Sequence, residues 1–291
     1  PEVAVTMRGA STPIASLPVV IVPLGTDEDA LDACLAALDA GTPAGTRVWL
    51  ADNAQTGPRA LAIVERWLAR TPLQAAHTRR SAPIGEAAHL DDALRACADA
   101  DVAILASDAR PTPGWLGQLA SALQRDAGIA TATPWSNAGE AAAWPRIGEL
   151  TALADVPPTR LAEAAAQLAA TAPDLPAAVT HAVVLRGAAR QQVGGLDGAS
   201  YGSWYAALID FSLRLSGLGW RNALCETAFV ARAGEGMPFD GDLDTLNARW
   251  PAWNARLAHF LMQDPLRESR ERLPSLYAQA GGPEIQRELF L

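Results

Sequence analysis

Up to Thr133 the chain alternates short apolar, β-branched runs with stretches of helical periodicity, and few folds accept that alternation. Residues 17–24, LPVVIVPL, read as a strand that stops at Gly25-Thr26-Asp27. Thr26 or Asp27 can cap a helix through Leu31, Leu35 and Leu38 that closes at Gly41. Residues 47–51, RVWLA, form a second strand, followed by Asp52-Asn53 and a turn at Thr56-Gly57-Pro58. Leu61, Val64 and Leu68 then mark a helix over 59–70. A weaker strand over 73–78 and a helix over 86–98 precede the apolar run 102–105, and a helix over 115–125 and a strand over 129–133 follow it. Strands joined through helices require right-handed crossovers, so the prediction is an α/β fold: a mixed, mainly parallel sheet with helices on both faces.

Beyond Thr133 the pattern loosens among prolines 134, 145, 157, 158, 173 and 176. A helix over 159–170, a strand over 177–185 and a short helix over 187–193 ended by Gly194-Gly195 are expected. Residues 197–205 read as a Gly/Ser/aromatic loop of the kind that closes over a ligand, ahead of a helix over 206–218 and a strand within 222–230. Residues 233–244 read as a polar, Gly-bearing loop, and 246–276 as amphipathic helix. This divides the chain into a leader or linker over 1–16, one domain over 17–245 and a C-terminal helical extension over 246–291. The net charge of −9 leaves no electrostatic footprint for nucleic acid. Cys34, Cys97 and Cys225 are odd in number and widely spaced, which argues against a disulfide framework or a zinc site and for a reducing compartment. No apolar run reaches the about 18 residues of a transmembrane segment.

Two carboxylates fall where chemistry is expected. Asp108 follows the strand over 102–105 and precedes Pro111, Pro113 and Gly114; Asp52 follows the second strand. In a doubly wound sheet the carboxyl ends of such strands line one crevice, where ligands bind. Asp108 can hold a hard cation with a bound diphosphate, or it can cap the helix near Trp115.

Several blocks, in order, resemble the family 2 glycosyltransferases of GT-A fold, over roughly residues 17–273. VVIVPLGTDEDALDACLAAL resembles the opening strand and helix, and VWLADNAQTG the block whose Asp, here Asp52, contacts the nucleobase. DVAILASDARPTPGWLGQLASAL resembles the DxD block, followed by TATPWSNAG; VVLRGAARQQVGGLD resembles the segment before the acceptor loop. IDFSLRLSGLGWRNAL resembles the helix after the catalytic base, and NARWPAWNARLAHFLMQDPL a tail found in longer polysaccharide enzymes. The resemblance implies a Rossmann-like GT-A fold and an inverting transfer of sugar from a nucleotide-sugar donor to a surface polysaccharide, glycan or lipid-linked acceptor. It further implies Mn2+ or Mg2+ held at Asp108, a bacterial cytoplasmic setting that extends to the periphery of the inner membrane, and other domains of a polysaccharide-synthesis enzyme as partners.

Three departures accompany these matches. The DxD is Ala106-Ser107-Asp108, the acidic pair that supplies the base is Ala207-Leu208, and Arg232 stands where the family often has His. Arg232 is either a direct partner for diphosphate or a solvated loop arginine. Substitute bases are sought in Asp210, Glu235 and Asp240, with Asp210 better suited to an ion pair with Arg214 or Arg221. His181 reads as a strand histidine. Trp135, Trp144, Trp204 and Tyr205 either stack on sugar rings, Trp204 and Tyr205 foremost, or pack in the core. Two function classes follow: an active glycosyltransferase, or a degenerate GT-A domain that binds nucleotide or glycan, or positions a partner domain.

Overall fold

A computed structural model describes residues 17–153 and 156–280 of the chain. The expected leader or linker over 1–16 lies outside the described residues, as does 281–291 of the expected extension. The first half follows the alternation: β1 (Val19–Pro23), α1 (Glu28–Gly41), β2 (Arg47–Asp52), α2 (Pro58–Leu68), β3 (Gln74–Arg79), α3 (Glu86–Ala96), β4 (Val102–Leu105), α4 (Trp115–Arg125) and β6 (Ile129–Trp135), with one short strand, β5 (Ala109–Pro111), inside the expected Asp108 loop. Asp27 caps α1, its carboxylate accepting from Ala30 N at 3.0 Å. The second half comprises α5 (Pro158–Ala165), β7 (Ala182–Leu185), α6 (Gly187–Val193), α7 (Trp204–Gly217), β8 (Arg221–Arg232), α8 (Asp242–Arg249), α9 (Trp253–Gln263) and α10 (Arg267–Gln279).

Several elements differ from the reading of the sequence: α5 ends at Ala165 rather than at 170, α8 begins at Asp242 inside the expected loop 233–244, and β7 and α7 have other bounds. β7 is shorter than 177–185 because its neighbour β4 offers only four residues to pair with. α7 starts before residue 206 because Ser203 caps it, accepting from Ala206 N at 3.3 Å, so Trp204 and Tyr205 lie on a helix and not in a loop.

The strands form one sheet in the order β3-β2-β1-β4-β7-β6-β8-β5. The pairs β1/β2, β2/β3, β1/β4 and β6/β8 are parallel, and β7 runs antiparallel to both β4 and β6. The chain steps outward from β1 to β2 and β3, then returns to the other side of β1 with β4. In open α/β sheets ligands bind at such a reversal, outside the carboxyl ends of the strands, here β1 and β4. Gly25 N, just beyond β1, donates to Ser107 Oγ, just beyond β4, at 2.9 Å and ties the two ends together. β8 is the longest strand. Its pairing with β6 skips from Cys225 opposite Pro134 to Phe229 opposite Trp135, and this bulge turns its last residues onto β5.

The core lies on both faces of the sheet. Val20, Ile21, Val22, Ile104 and Leu105 are completely buried, as expected for strands covered on both sides by helices. A second cluster gathers Trp135, Trp144, Phe229, Leu161 and, from α10, Leu273 and Tyr277. Arg270 of α10 lies over the Trp135 ring, 5.5 Å from its centroid, and its Nε donates to Ala143 O at 3.0 Å. The described C-terminal helices are therefore integral to the packing of the domain. Leu273→Ala is expected to destabilise the chain by about 2–5 kcal/mol, read from the urea midpoint; a shift below about 0.5 kcal/mol would mean that α10 folds independently.

Candidate active site

The crevice is built from strand ends. Asp52 closes β2, and its side chain is fully buried. Its Oδ2 accepts from Arg79 Nη1 at 2.6 Å and from Thr56 Oγ1 at 2.5 Å, with His77 Nε2 at 3.7 Å. Burial pushes this carboxyl upward, but the Thr56 hydrogen bond and the Arg79 guanidinium outweigh it and hold the group below the ordinary aspartate value. Asp52 is thus an anion at neutral pH and can only accept. Its Oδ1 is buried and has no hydrogen-bond partner among the described residues. A buried acceptor left unpaired costs about 1–3 kcal/mol. Beside it, Asn53 pins residue 84 from both sides, accepting from Ile84 N at 3.1 Å and donating to Ile84 O at 2.8 Å.

Across β1, Asp108 follows β4. It does not cap α4, which starts behind Gly114 with no side-chain cap. Its carboxylate faces Arg232 at the end of β8: Arg232 Nε lies 2.9 Å from Oδ1 and 3.0 Å from Oδ2. Gly234 N adds a donor to Oδ2 at 3.2 Å, and Arg232 Nη1 donates to Thr180 Oγ1 at 2.9 Å. The β8 bulge brings Arg232 to this point. Asn137 then holds its backbone in both directions, Arg232 N donating to Asn137 Oδ1 at 2.8 Å and Asn137 Nδ2 donating to Arg232 O at 3.0 Å. Arg232 is 7% exposed, so it is not a solvated loop arginine. Its Nη2 has no partner among the described residues.

The donor set here does not fit a resident divalent ion. Such an ion seeks about six oxygens, several of them carboxylate. Asp108 brings one carboxylate, both of whose oxygens already meet the guanidinium, and no group of three or more metal-binding side chains occurs among the described residues.

The remaining candidates separate. Asp210 is fully buried on α7 and bonded to Arg214 Nε at 2.7 Å, Trp250 Nε1 at 2.8 Å and Arg249 Nη1 at 3.1 Å, the arrangement of a structural ion pair. Trp204 is 7% exposed and packed against the main core. Tyr205 is half-buried, with its hydroxyl directed at Glu140. Asp240 is exposed, and so is Glu235, which nonetheless lies close enough to act electrostatically on Tyr205. His181 is buried just before β7. Burial, and secondarily Arg232, lower it to about 3, so it is neutral, and its Nε2 faces Pro134 O at 2.9 Å.

Glu86 and Glu140 enter the site without a motif to announce them. Glu86, at the start of α3, accepts from Trp204 N at 3.1 Å and is pushed upward by burial. Glu140, after β6, accepts from Tyr205 Oη at 3.3 Å. The only local sign of Glu140 in the sequence is the polar run Ser136-Asn137 directly after an apolar strand.

A sequence profile described as "Glycosyl transferase family 2" matches residues 19–175, more than half of the chain. The chain belongs to the family 2 glycosyltransferases. A comparison with curated proteins returns no match. Solved structures share the GT-A architecture at low identity. A mannosyltransferase from Pyrobaculum calidifontis, in complex with GDP-Man and Mn2+, is 15% identical with a TM-score of 0.56, the match covering 97% of this chain and 80% of that one. GalNAc-T7 with UDP, GalNAc and Mn2+ is 11% identical at a TM-score of 0.59, covering 95% of this chain and 58% of that one. TarS from S. aureus, residues 1–349 with UDP-GlcNAc, is 14% identical at a TM-score of 0.52, covering 93% and 75%. At these identities the likeness shows the fold.

The Asp108–Arg232 pair can be tested by stability alone. Asp108→Ala strands a buried guanidinium, which should cost roughly 3 kcal/mol, the low end for breaking a buried pair because the Asp108 side chain keeps 21% exposure. Chelator should leave the urea midpoint of the parent unchanged, and a large drop on chelation would show that a metal had taken over as the counterion.

Proposed function

We propose that this glycosyltransferase-family domain binds a nucleotide-sugar and transfers the sugar, with inversion, to a glycan or lipid-linked acceptor in the assembly of a surface polysaccharide. The observation that carries the reading is the buried, ionised Oδ1 of Asp52, an acceptor without a donor at the carboxyl edge of the sheet. An anionic acceptor there calls for an N–H or O–H donor, such as the imide N–H of a uracil or guanine base, or a ribose hydroxyl. The nucleotides named with the similar structures, GDP-Man, UDP and UDP-GlcNAc, carry such groups.

From Asp52 the donor would run across the ends of β1 and β4 toward Arg232, which would meet the diphosphate. A guanidinium suits phosphate oxygens, and a fixed positive charge stabilises the leaving group as the glycosidic bond breaks. Arg232 would take the part that Mn2+ or Mg2+ plays elsewhere, so metal dependence would be weak. No helix among the described residues is long and apolar enough to cross a membrane. On the resemblance to polysaccharide-synthesis enzymes alone, we put the reaction in the cytoplasm or at the inner face of the membrane, alongside other domains of a longer enzyme.

A second reading, a degenerate domain that binds nucleotide or glycan without turnover, is favoured by one observation: Ala207 and Leu208, at the positions of the family's acidic pair, are completely buried. A screen for transfer and donor hydrolysis across nucleotide sugars, with and without manganese, separates the two. Turnover near 1 s⁻¹ or above supports the enzyme; binding without turnover supports the degenerate domain. Calorimetry tests the shared premise. Asp52→Asn should weaken nucleotide binding about tenfold, the loss of one charged hydrogen bond. Arg232→Ala should weaken it comparably while chelation does little, and the reverse pattern would restore the metal.

A further inference from the structure

The missing acid of α7 has a counterpart on another element. Glu140 begins the 3-10 turn Glu140–Ala142, directly beyond β6, with φ 46°. A left-handed backbone at a residue other than glycine costs on the order of 1–3 kcal/mol and persists only where the surroundings impose it. They do so here. Glu140 O accepts from Ala143 N at 3.1 Å and from Gly148 N at 2.8 Å, and Gly139 O accepts from Ala142 N at 2.6 Å. The same loop carries Asn137, whose two bonds to the Arg232 backbone fix the turn against the strand that supplies the crevice's cation.

The side chain is positioned as firmly as the backbone. Tyr205 Oη, from the first turn of α7, donates to Glu140 Oε2 at 3.3 Å. Across the site, a Cβ on Gly236 would lie 3.1 Å from the Tyr205 ring and 2.1 Å from Thr180 Oγ1, the atom that receives Arg232. Only glycine lets the loop after β8 lie this close, and it sets Glu235 beside the Glu140–Tyr205 pair. Glu140 is half-buried, and its Oε1 carries no hydrogen bond among the described residues. One oxygen is thus held by the tyrosine and the other is unengaged among the described residues.

We propose that Glu140 is the general base of the transfer, replacing the acid that α7 lacks. The inference rests on the enzyme reading given above. As the acceptor hydroxyl oxygen forms its bond to C1 of the donor sugar, the C1–O bond to the diphosphate breaks and its electron pair leaves with the phosphate oxygen. The hydroxyl proton passes to Glu140 Oε1 and then to water. Arg232 answers the charge gained by the diphosphate, and Tyr205 acts as a positioning residue that fixes the carboxylate. The charged and titratable groups that face Glu140 are Tyr205 from α7, Arg232 from β8 and Glu235 from the following loop. Burial pushes the Glu140 carboxyl up to about 7; Tyr205 and Arg232 oppose the shift and Glu235 adds to it. A base poised near the working pH is the effective kind.

The test is Glu140→Gln, an isostere whose amide oxygen still accepts from Tyr205. Turnover should fall about 10²–10⁴-fold, with donor KM and nucleotide affinity within about twofold and the melting temperature unchanged. In the parent, the ionised base is lost as pH drops, so kcat should fall about tenfold per unit below pH 7; the residual activity of the variant should lack that limb. Tyr205→Phe, which removes a donor to the ionised carboxylate, should move the limb to higher pH. Unchanged turnover in Glu140→Gln overturns the base and leaves sugar transfer standing. Loss of nucleotide binding in that variant also overturns it, in favour of a structural role. A parent that binds nucleotide sugar but turns none over overturns the base and leaves a binding domain. A parent that binds no nucleotide removes the base together with the proposed function.

Discussion

The Asp108–Arg232 ion pair joins what the chain order keeps apart. One partner follows β4, near the middle of the sheet; the other ends β8, whose neighbour β5 is the last strand. Asp108 O also accepts from Ala233 N at 3.1 Å, so backbone and side chain both fasten the end of β8 to the turn after β4. A pair of this kind is costly to desolvate and is retained only where its remaining hydrogen bonds are satisfied. Thr180 and Gly234 do much of that. This contact fixes where the guanidinium sits and where the following loop leaves β8.

The wall around that contact is supported from behind. Trp135 and Phe229 are fully buried opposite each other on β6 and β8, and α10 packs on this second cluster. Glu226, inside the β8 bulge, accepts from Thr171 N at 2.8 Å and from Ser269 Oγ at 2.7 Å, which joins the bulge to α10 and to the segment after α5. The bulge that aims Arg232 is therefore held in part by α10. What reads along the chain as an appendage supports the geometry of the site.

The first half of the fold could be read from periodicity because each strand and helix there buries a regular set of apolar side chains, and the GT-A family was legible in the order of the blocks. Asp52 and Asp108 were visible as carboxylates at strand ends. Other features were hidden for physical reasons. The extent of β7 depends on how many residues its neighbour offers, which is a long-range property. The start of α7 turns on one hydroxyl, Ser203. Arg232 looked like either a solvated or a ligand-binding side chain until the β8 bulge showed where it points. Glu140 was illegible, since its position arises from a left-handed residue, two carbonyl contacts and a tyrosine 65 residues away.

The burial of Ala106 and Leu208 limits what those two positions can carry. Ala106 is 4% exposed and Leu208 completely buried, both within the main core, and Cys34 Sγ lies 3.7 Å from Ala106 O. An aspartate reintroduced at either place would arrive as an unpaired charge in apolar packing, at a cost of several kcal/mol against a total stability of about 5–15 kcal/mol. A single acidic substitution at either position would therefore use up a large share of that stability. The polar side chains of the site accordingly come from the loops around Arg232 and Glu140, where a charge finds partners.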